Sequence, residues 1–294
     1  MMGRVGVSVL RRLVGALSCV LGLGCFGSPT PLAPTIRGSV GVPHHGTLTD
    51  GKALPSHGPG FRRFRGDAIA WGNPRLVQAI MEAAATVERL RPGGAPLIVA
   101  DLSAQRGGKI PRHRSHRSGR DLDLLFYVVS PDGRSVQNPG FIHFGRDGLA
   151  LADKRKGRFL RLDVERMWLL IKALTSNQQA RVQWLFVARW LEALVIEHAR
   201  ARGEDDELVW HAENLLRQPG DSSAHDDHIH MRIACSPAEA VAGCSGGGYD
   251  WPWLPKAQPV ELSDDELLAA LLDDDLPAPR ATSPDSAPAI ESQP

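Results

Sequence analysis

A chain of 294 residues, 43% of them apolar, is long enough for one substantial domain with appendages or for two small ones, and apolar enough to bury a core. Its 34 Lys and Arg nearly balance 33 Asp and Glu, and a formal net charge of +1 removes the electrostatic basis for a nucleic-acid binder that relies on phosphate contacts. The charge is unevenly placed, with a basic N-terminus and a strongly acidic stretch from Glu261 to Asp275.

In chain order, Arg4, Arg11 and Arg12 precede an apolar, uncharged run from Leu13 to Phe26, shorter than the ~20 residues of a comfortable membrane span. This pattern reads as an export signal over residues 1–25. Cys19 and Cys25 lie at or just past its apolar part, and Leu21-Gly22-Leu23-Gly24-Cys25 is an imperfect lipoprotein cleavage pattern, so lipid anchoring at Cys25 and plain signal cleavage are both open. Residues 26–37 read as a Pro-rich tether, and 38–255 as the globular domain. Within it, Gly38 to Pro59 is rich in Gly, Pro and His and predicts extended loop with short strands at most. Asn73-Pro74 opens a helix whose Leu76, Val77, Ile80, Ala84, Val87 and Leu90 keep helical spacing until Arg91-Pro92-Gly93-Gly94. Leu97 to Leu102 suits a short buried strand, Gln105 to Gly119 a loop, and Asp121 to Val128 a strand with Asp121 and Asp123 on one face and Leu122 and Leu124 on the other. Ser130 to Gly157 predicts a polar loop, Asp163 caps a helix through Ala173, Val182 to Val187 is a strand and Ala188 to Arg202 a helix. A polar region including Gly203 to Glu207 then leads to a histidine-rich strand. Residues 256–294 read as an acidic, Pro- and Ser-rich tail, mostly disordered, in which Ser263 to Asp275 predicts a short helix opened by a Ser263/Glu266 capping box.

Two clusters have metal-ligand character. His225-Asp226-Asp227-His228-Ile229-His230 runs into alternating apolar residues, and in a strand His228, His230 and Arg232 share one face. His113-Arg114-Ser115-His116 is followed by the strand carboxylates Asp121 and Asp123. A catalytic zinc takes three protein ligands from His and Asp or Glu, so His116, Asp123 and His230 have the right composition if the two strands pair or lie close. The simpler reading stays open at this point: His113 and His116 as solvated members of a basic loop, and His-x-His as an exposed strand pair. Cys235 and Cys244 are close enough to form a local disulfide in an oxidising compartment, and a weak metal site in a reducing one. Arg112, Arg114, Arg117 and Arg120 could meet substrate carboxylates or simply form a solvated basic loop.

The stretches His113 to Asp123 and His225 to His230 resemble the two signature motifs of the penicillin-insensitive murein endopeptidases. These belong to a wider group with lysostaphin, D-Ala-D-Ala peptidases and the hedgehog signalling domain, which share His-x6-Asp and a later His-x-His. Flanking stretches also resemble the family, among them Gly41 to Gly46, Gly58 to Phe61, Trp71 to Pro74, Asp101-Leu102-Ser103 and Asp163 to Arg166. Ala224 stands where relatives are expected to have glycine. The resemblance implies that His116, Asp123 and His230 bind Zn2+ and that His228 and His225 are catalytic. It also implies that His113, Asp121 and Asp227 support the site or the substrate. The implied fold is α+β, with a small, largely antiparallel sheet carrying the zinc site and helices packed around it. The implied activity is hydrolysis of the D-alanyl-meso-diaminopimelyl cross-link between peptidoglycan stem peptides in the periplasm. A D,D- or L,D-carboxypeptidase and a non-catalytic zinc-bearing wall-binding module are the alternatives. No feature specifies an oligomeric state.

Overall fold

The computed structural model describes residues 37–220 and 222–254. The predicted export signal, Cys25 and the predicted Ser263–Asp275 helix lie outside the described residues. The described chain begins with a hairpin of β1 (Gly38–Val42) and β2 (His45–Thr49), then the short strands β3 (Lys52–Ala53), β4 (His57–Gly58), β5 (Phe61–Arg63) and β6 (Trp71–Gly72). Helix α1 (Pro74–Leu90) leads to β7 (Leu97–Val99), and a long loop leads to β8 (Asp121–Leu125). β9 (Val128–Val129), β10 (Ser135–Val136), β11 (Leu149–Asp153) and β12 (Arg158–Leu162) follow, then α2 (Val164–Thr175) and β13 (Val182–Phe186). The last elements are α3 (Arg189–Ala201), α4 (Asp206–Leu215), β14 (Leu216–Arg217), β15 (His228–Ile233) and α5 (Pro237–Val241). Among the described residues, no helix is long and apolar enough to cross a membrane.

Helix α1 begins where local chemistry demands it. The Asn73 side chain accepts a hydrogen bond from the Arg75 N–H at 3.1 Å, and Pro74 fills the first helical position, where a missing N–H costs nothing. Leu76, Val77, Ile80, Ala83, Ala84 and Val87 recur every three or four residues and are all at most 2% exposed. In the same way, Asp163 caps α2 by accepting from Arg166 N–H, and α2 buries Met167, Trp168, Leu170, Ile171 and Leu174.

These helices cover one face of a seven-stranded sheet in the order β14-β13-β15-β8-β7-β5-β4. Its central pairs, β13 with β15, β15 with β8 and β8 with β7, are antiparallel, while β13 with β14 and β5 with β7 are parallel. Because side chains alternate along a strand, Leu122, Leu124, Leu185, Ile229 and Met231 enter the core together, all at most 1% exposed. The opposite face carries Asp121, Asp123, His228, His230 and Arg232. The fold is therefore α+β and mostly antiparallel, as the sequence predicts.

Several segments differ from the sequence-based expectation. Ser130 to Gly157, expected as loop, contains β10 and β11, and β11 folds back on β12 as a hairpin. Its turn is held by Asp153, whose carboxylate accepts from the Arg155 and Lys156 N–H groups, and by Gly157 at φ +58°. The alternation that marks a strand is hidden because Leu149 and Leu151, both 40% exposed, flank buried Ala150, so apolar residues occupy both faces. The polar stretch after Arg202 contains α4, capped by Asp205 through Leu208 N–H, with an apolar stripe of only Val209, Ala212 and Leu215. The strand expected from Asp121 to Val128 ends at Leu125, and Val128 and Val129 pair instead with β12 in a four-stranded sheet.

Past β15, the chain returns across the functional face. Cys235 and Cys244 form a disulfide, and the segment Ser245 to Trp251 is then tied to the sheet. Arg120 donates to the Ser245 and Gly246 carbonyls at 2.7 and 3.2 Å, Trp184 Nε1–H to Gly247 O at 2.9 Å, and Gln183 to Tyr249 O at 3.1 Å.

Candidate metal centre

The two histidine-bearing motifs lie more than a hundred residues apart and meet because β15 and β8 are neighbours in the sheet. Their register places His230 opposite Asp123 and Arg232 opposite Asp121. His116 arrives from the loop before β8. That loop is pinned by Ser103 Oγ–H donating to His116 O at 2.6 Å and Arg117 N–H to Pro43 O at 3.0 Å. His116 sits at φ +63° and His225 at φ +55°, a left-handed backbone rarely taken by non-glycine residues.

Three atoms from these elements form a nearly equilateral triangle. His116 Nε2 is 3.3 Å from His230 Nδ1 and 3.4 Å from Asp123 Oδ1, and His230 Nδ1 is 3.2 Å from the same oxygen. Ligands about 2.0–2.2 Å from a tetrahedral zinc ion stand about 3.3–3.5 Å apart, so the triangle has the dimensions that such an ion requires. His116 is 0% exposed and Asp123 1%, and neither oxygen of Asp123 has a hydrogen-bond partner. Burial of an unpartnered carboxylate is costly, and a cation would relieve that cost.

The hydrogen bonds on the outer side fix which nitrogen faces inward. His116 Nδ1–H donates to Leu102 O at 3.1 Å, and His230 Nε2–H donates to Asp121 Oδ1 at 2.7 Å, leaving His116 Nε2 and His230 Nδ1 with lone pairs towards the triangle. The surrounding imidazoles follow the same rule. His228 Nδ1–H donates to Asp227 at 2.6 Å, His225 Nδ1–H to Ser223 O at 2.8 Å, and His113 Nε2–H to Asp101 at 2.8 Å. The inner nitrogen of His228 is then 3.5 Å from Asp123 Oδ1, and that of His113 is 3.8 Å from Asp123 Oδ2. Two trios therefore have ligand atoms close enough to share an ion besides the triangle itself: His113, His116 and Asp123, and His225, His228 and His230. The sequence-predicted residues all converge here, with Asp121 and Asp227 behind the imidazoles they orient.

The local charges separate the two remaining histidines. Burial pulls the His228 imidazole down, but the hydrogen bond to Asp227 and the negative charges of Asp123 and Asp227 outweigh it and raise the group to about 10. Burial lowers His225 to about 4, aided by the neighbouring His228 and His230. Burial also opposes ionisation of Asp123 and Asp121. Interactions with His116, His228 and His230 nevertheless hold Asp123 well below the usual carboxylate range, and Arg232 with His230 holds Asp121 low.

Rings and cations border this cluster. Phe141 lies 5.3 Å from the His228 ring and Phe186 lies 5.6 Å from His230, in T-shaped and tilted contacts. His143 bonds Asp226 at 2.8 Å. Arg120 departs from one expected option: it is 0% exposed, burial pulls the pKa of its guanidinium down to about 10, and its donors serve the returning segment. It is therefore not available to substrate, whereas Arg112 and Arg114 are exposed and Arg117 is half-buried. Asp101, Phe141 and Phe186 were not identifiable as site neighbours from local patterns. Asp101 lies two residues past an apolar strand, a place where a buried carboxylate needs a partner, and that was the available signal.

No curated protein matches the chain. A family model described as penicillin-insensitive murein endopeptidase matches residues 39–247, well over half of the 294-residue chain and a span that includes every site residue above. The chain belongs to the penicillin-insensitive murein endopeptidase family.

Proposed function

We propose that this chain is an exported, zinc-dependent endopeptidase that hydrolyses the D-alanyl-meso-diaminopimelyl cross-link between peptidoglycan stem peptides. The observation that carries the metal reading is the 3.2–3.4 Å triangle of His116 Nε2, Asp123 Oδ1 and His230 Nδ1 around a buried carboxylate without a hydrogen-bond partner. Two imidazoles and one carboxylate form a donor set that suits zinc and leaves an open coordination position. Family membership supports peptidoglycan as the substrate. The Cys235–Cys244 disulfide supports an oxidising compartment, in keeping with the N-terminal export pattern.

Zinc bound by these residues would polarise the scissile carbonyl and acidify a water molecule near neutral pH. The chain's own groups supply the remaining chemistry. His228 Nε2 faces the triangle and moves the proton that must leave the attacking water and reach the departing amine as the C–N bond breaks. Asp227 holds the other nitrogen protonated, so His228 presents one defined face to the substrate. His225, kept neutral by burial, is a second proton acceptor beside it. Asp121 and His113 act through the groups they touch, Asp121 by orienting His230 and His113 by bordering Asp123. Phe141 and Phe186 pack apolar rings against His228 and His230. Nothing here requires an acylated serine, which accounts for an activity indifferent to β-lactams.

Purified protein incubated with cross-linked muropeptide dimers, with and without a chelator, tests this reading by mass. Chelator-sensitive conversion of dimers to monomers supports it. Release of one terminal D-alanine from monomers, with dimers intact, replaces it with a carboxypeptidase. Stoichiometric zinc without turnover replaces it with a wall-binding module.

A further inference from the structure

Arg65 lies just after β5, which runs between β7 and β4 in the sheet, outside every motif that carries the metal reading, yet two independent chains of contacts place it at the mouth of the site. The first runs through Asp101, which is 2% exposed and locked to β8 by Asp123 N–H donating to its carbonyl at 2.9 Å. One Asp101 oxygen accepts from His113 Nε2–H at 2.8 Å, and the other lies 2.5 Å from Arg65 Nε. His113 in turn borders the Asp123 carboxylate. The second chain runs through rings: the Arg65 guanidinium carbon is 5.3 Å from the centre of Phe64 and 5.8 Å from that of Phe141, and Phe141 touches His228. Phe64 and Phe141 meet edge to face at 6.0 Å, so the guanidinium is held against two rings that support each other.

This clamp uses only the inner part of the group. Nε is buried against Asp101, while the side chain as a whole remains 30% exposed. Neither terminal nitrogen has a protein partner among the described residues, and neither is buried. Asp101 is already engaged by His113, so the edge of the guanidinium that faces solvent keeps its positive charge and its paired donors. A planar fork with free terminal donors, immobilised beforehand by stacking and an ion pair, binds a carboxylate in bidentate fashion with little loss of rotamer freedom.

We infer that Arg65 is a specificity-determining residue that binds a free carboxylate of the substrate beside the scissile amide. The inference rests on the peptidase reading of the site. The residue that supplies the departing amine carries a carboxylate on the carbon bonded to that nitrogen. A guanidinium at the mouth, linked through Asp101 to His113 and through Phe141 to His228, is placed to pair with it while His228 delivers the proton. Arg65 touches substrate and takes no part in bond breaking.

The test compares a muropeptide dimer with one whose carboxylate next to the scissile amide is converted to the amide, using the wild type, Arg65→Gln and Arg65→Lys. For wild type, amidation lowers kcat/KM about ten- to a hundredfold, the size expected when a charged hydrogen-bonded pair is lost, chiefly through KM. Arg65→Gln shows the same loss on the native dimer and treats the two substrates alike, while Arg65→Lys, which keeps the charge but not the fork, falls between. Arg65→Gln that still discriminates as wild type does, or that loses activity equally on both dimers, overturns the proposal. The second outcome would mean that Arg65 merely supports Asp101. Calorimetric binding of the cleaved monomer, native and amidated, to wild type and Arg65→Gln gives the same comparison without turnover. If wild type cleaves neither dimer, the endopeptidase reading fails, and the calorimetry alone then upholds or overturns the carboxylate site.

Discussion

Asp121→Asn probes the support behind the metal triangle without touching a proposed ligand. Asp121 is 0% exposed and one of its oxygens receives both His230 Nε2–H at 2.7 Å and Arg232 Nε–H at 2.6 Å. The amide is nearly the same size, so packing is preserved and the change is electrical. The neutral oxygen accepts more weakly from His230, which makes Nδ1 a poorer donor and frees the ring to adopt the other tautomer. Losing such an outer partner typically weakens metal binding 10–100-fold, or about 1.4–2.7 kcal/mol. The same substitution leaves the Arg232 guanidinium, 14% exposed, beside a neutral group. Because that charge still reaches solvent, the added loss of fold stability is smaller than the ~3–5 kcal/mol of a fully buried broken pair. Zinc competition against a chromophoric chelator reads the first effect, and thermal melting of the metal-free protein reads the second. Wild-type zinc affinity in Asp121→Asn, with an unchanged melting temperature, would refute the reasoning that this carboxylate orients His230.

Three further outcomes are expected. His228→Ala retains stoichiometric zinc but loses about 10²–10⁴-fold in turnover, whereas His230→Ala loses both; equal activity of His228→Ala and wild type would remove His228 from the chemistry. The raised His228 group is protonated at pH 8 when only the protein's own charges act on it, and a nearby divalent cation disfavours that proton. Zinc addition to metal-free protein at pH 8 should thus release about one more proton from wild type than from His228→Ala, measured in weak buffer, and equal release contradicts the assigned orientation. Reduction of Cys235–Cys244, nine residues apart, should destabilise the fold by about 2–3 kcal/mol by denaturant melting and loosen Ser245 to Trp251, seen as faster amide exchange there; unchanged exchange would show that Arg120 and Trp184 hold this segment unaided.

Local chemistry in the sequence was sufficient for the elements whose signals are local. Asn73-Pro74 and Asp163 announce their helices because capping is decided within a few residues. The alternation of Asp121 to Leu124 and of His228 to Ile233 reports two-faced strands for the same reason. The contact between those strands was legible only through the resemblance of the two motifs, since register between segments a hundred residues apart is set by the whole sheet. α4 was hidden because its inward stripe is three residues among acidic ones, and the β11–β12 hairpin because its outward residues are leucines. Arg120 illustrates the opposite error. Within an Arg-rich loop it reads as one more solvated or substrate-facing cation, and only the return of Ser245 and Gly246 over the sheet shows where its donors go. Arg65 and Phe141 carry no motif at all, and their contact arises because the residue after β5 and the loop before β11 meet beside the site.

The central claim is that His116, Asp123 and His230 together hold the metal. Anomalous diffraction at the zinc edge from crystals of the zinc-loaded protein tests it most directly. One full peak is expected about 2.0–2.2 Å from His116 Nε2, Asp123 Oδ1 and His230 Nδ1, with His228 outside bonding distance. A peak coordinated instead by His225, His228 and His230, the other cluster close enough to share an ion, would contradict both the ligand set and the role given to His228.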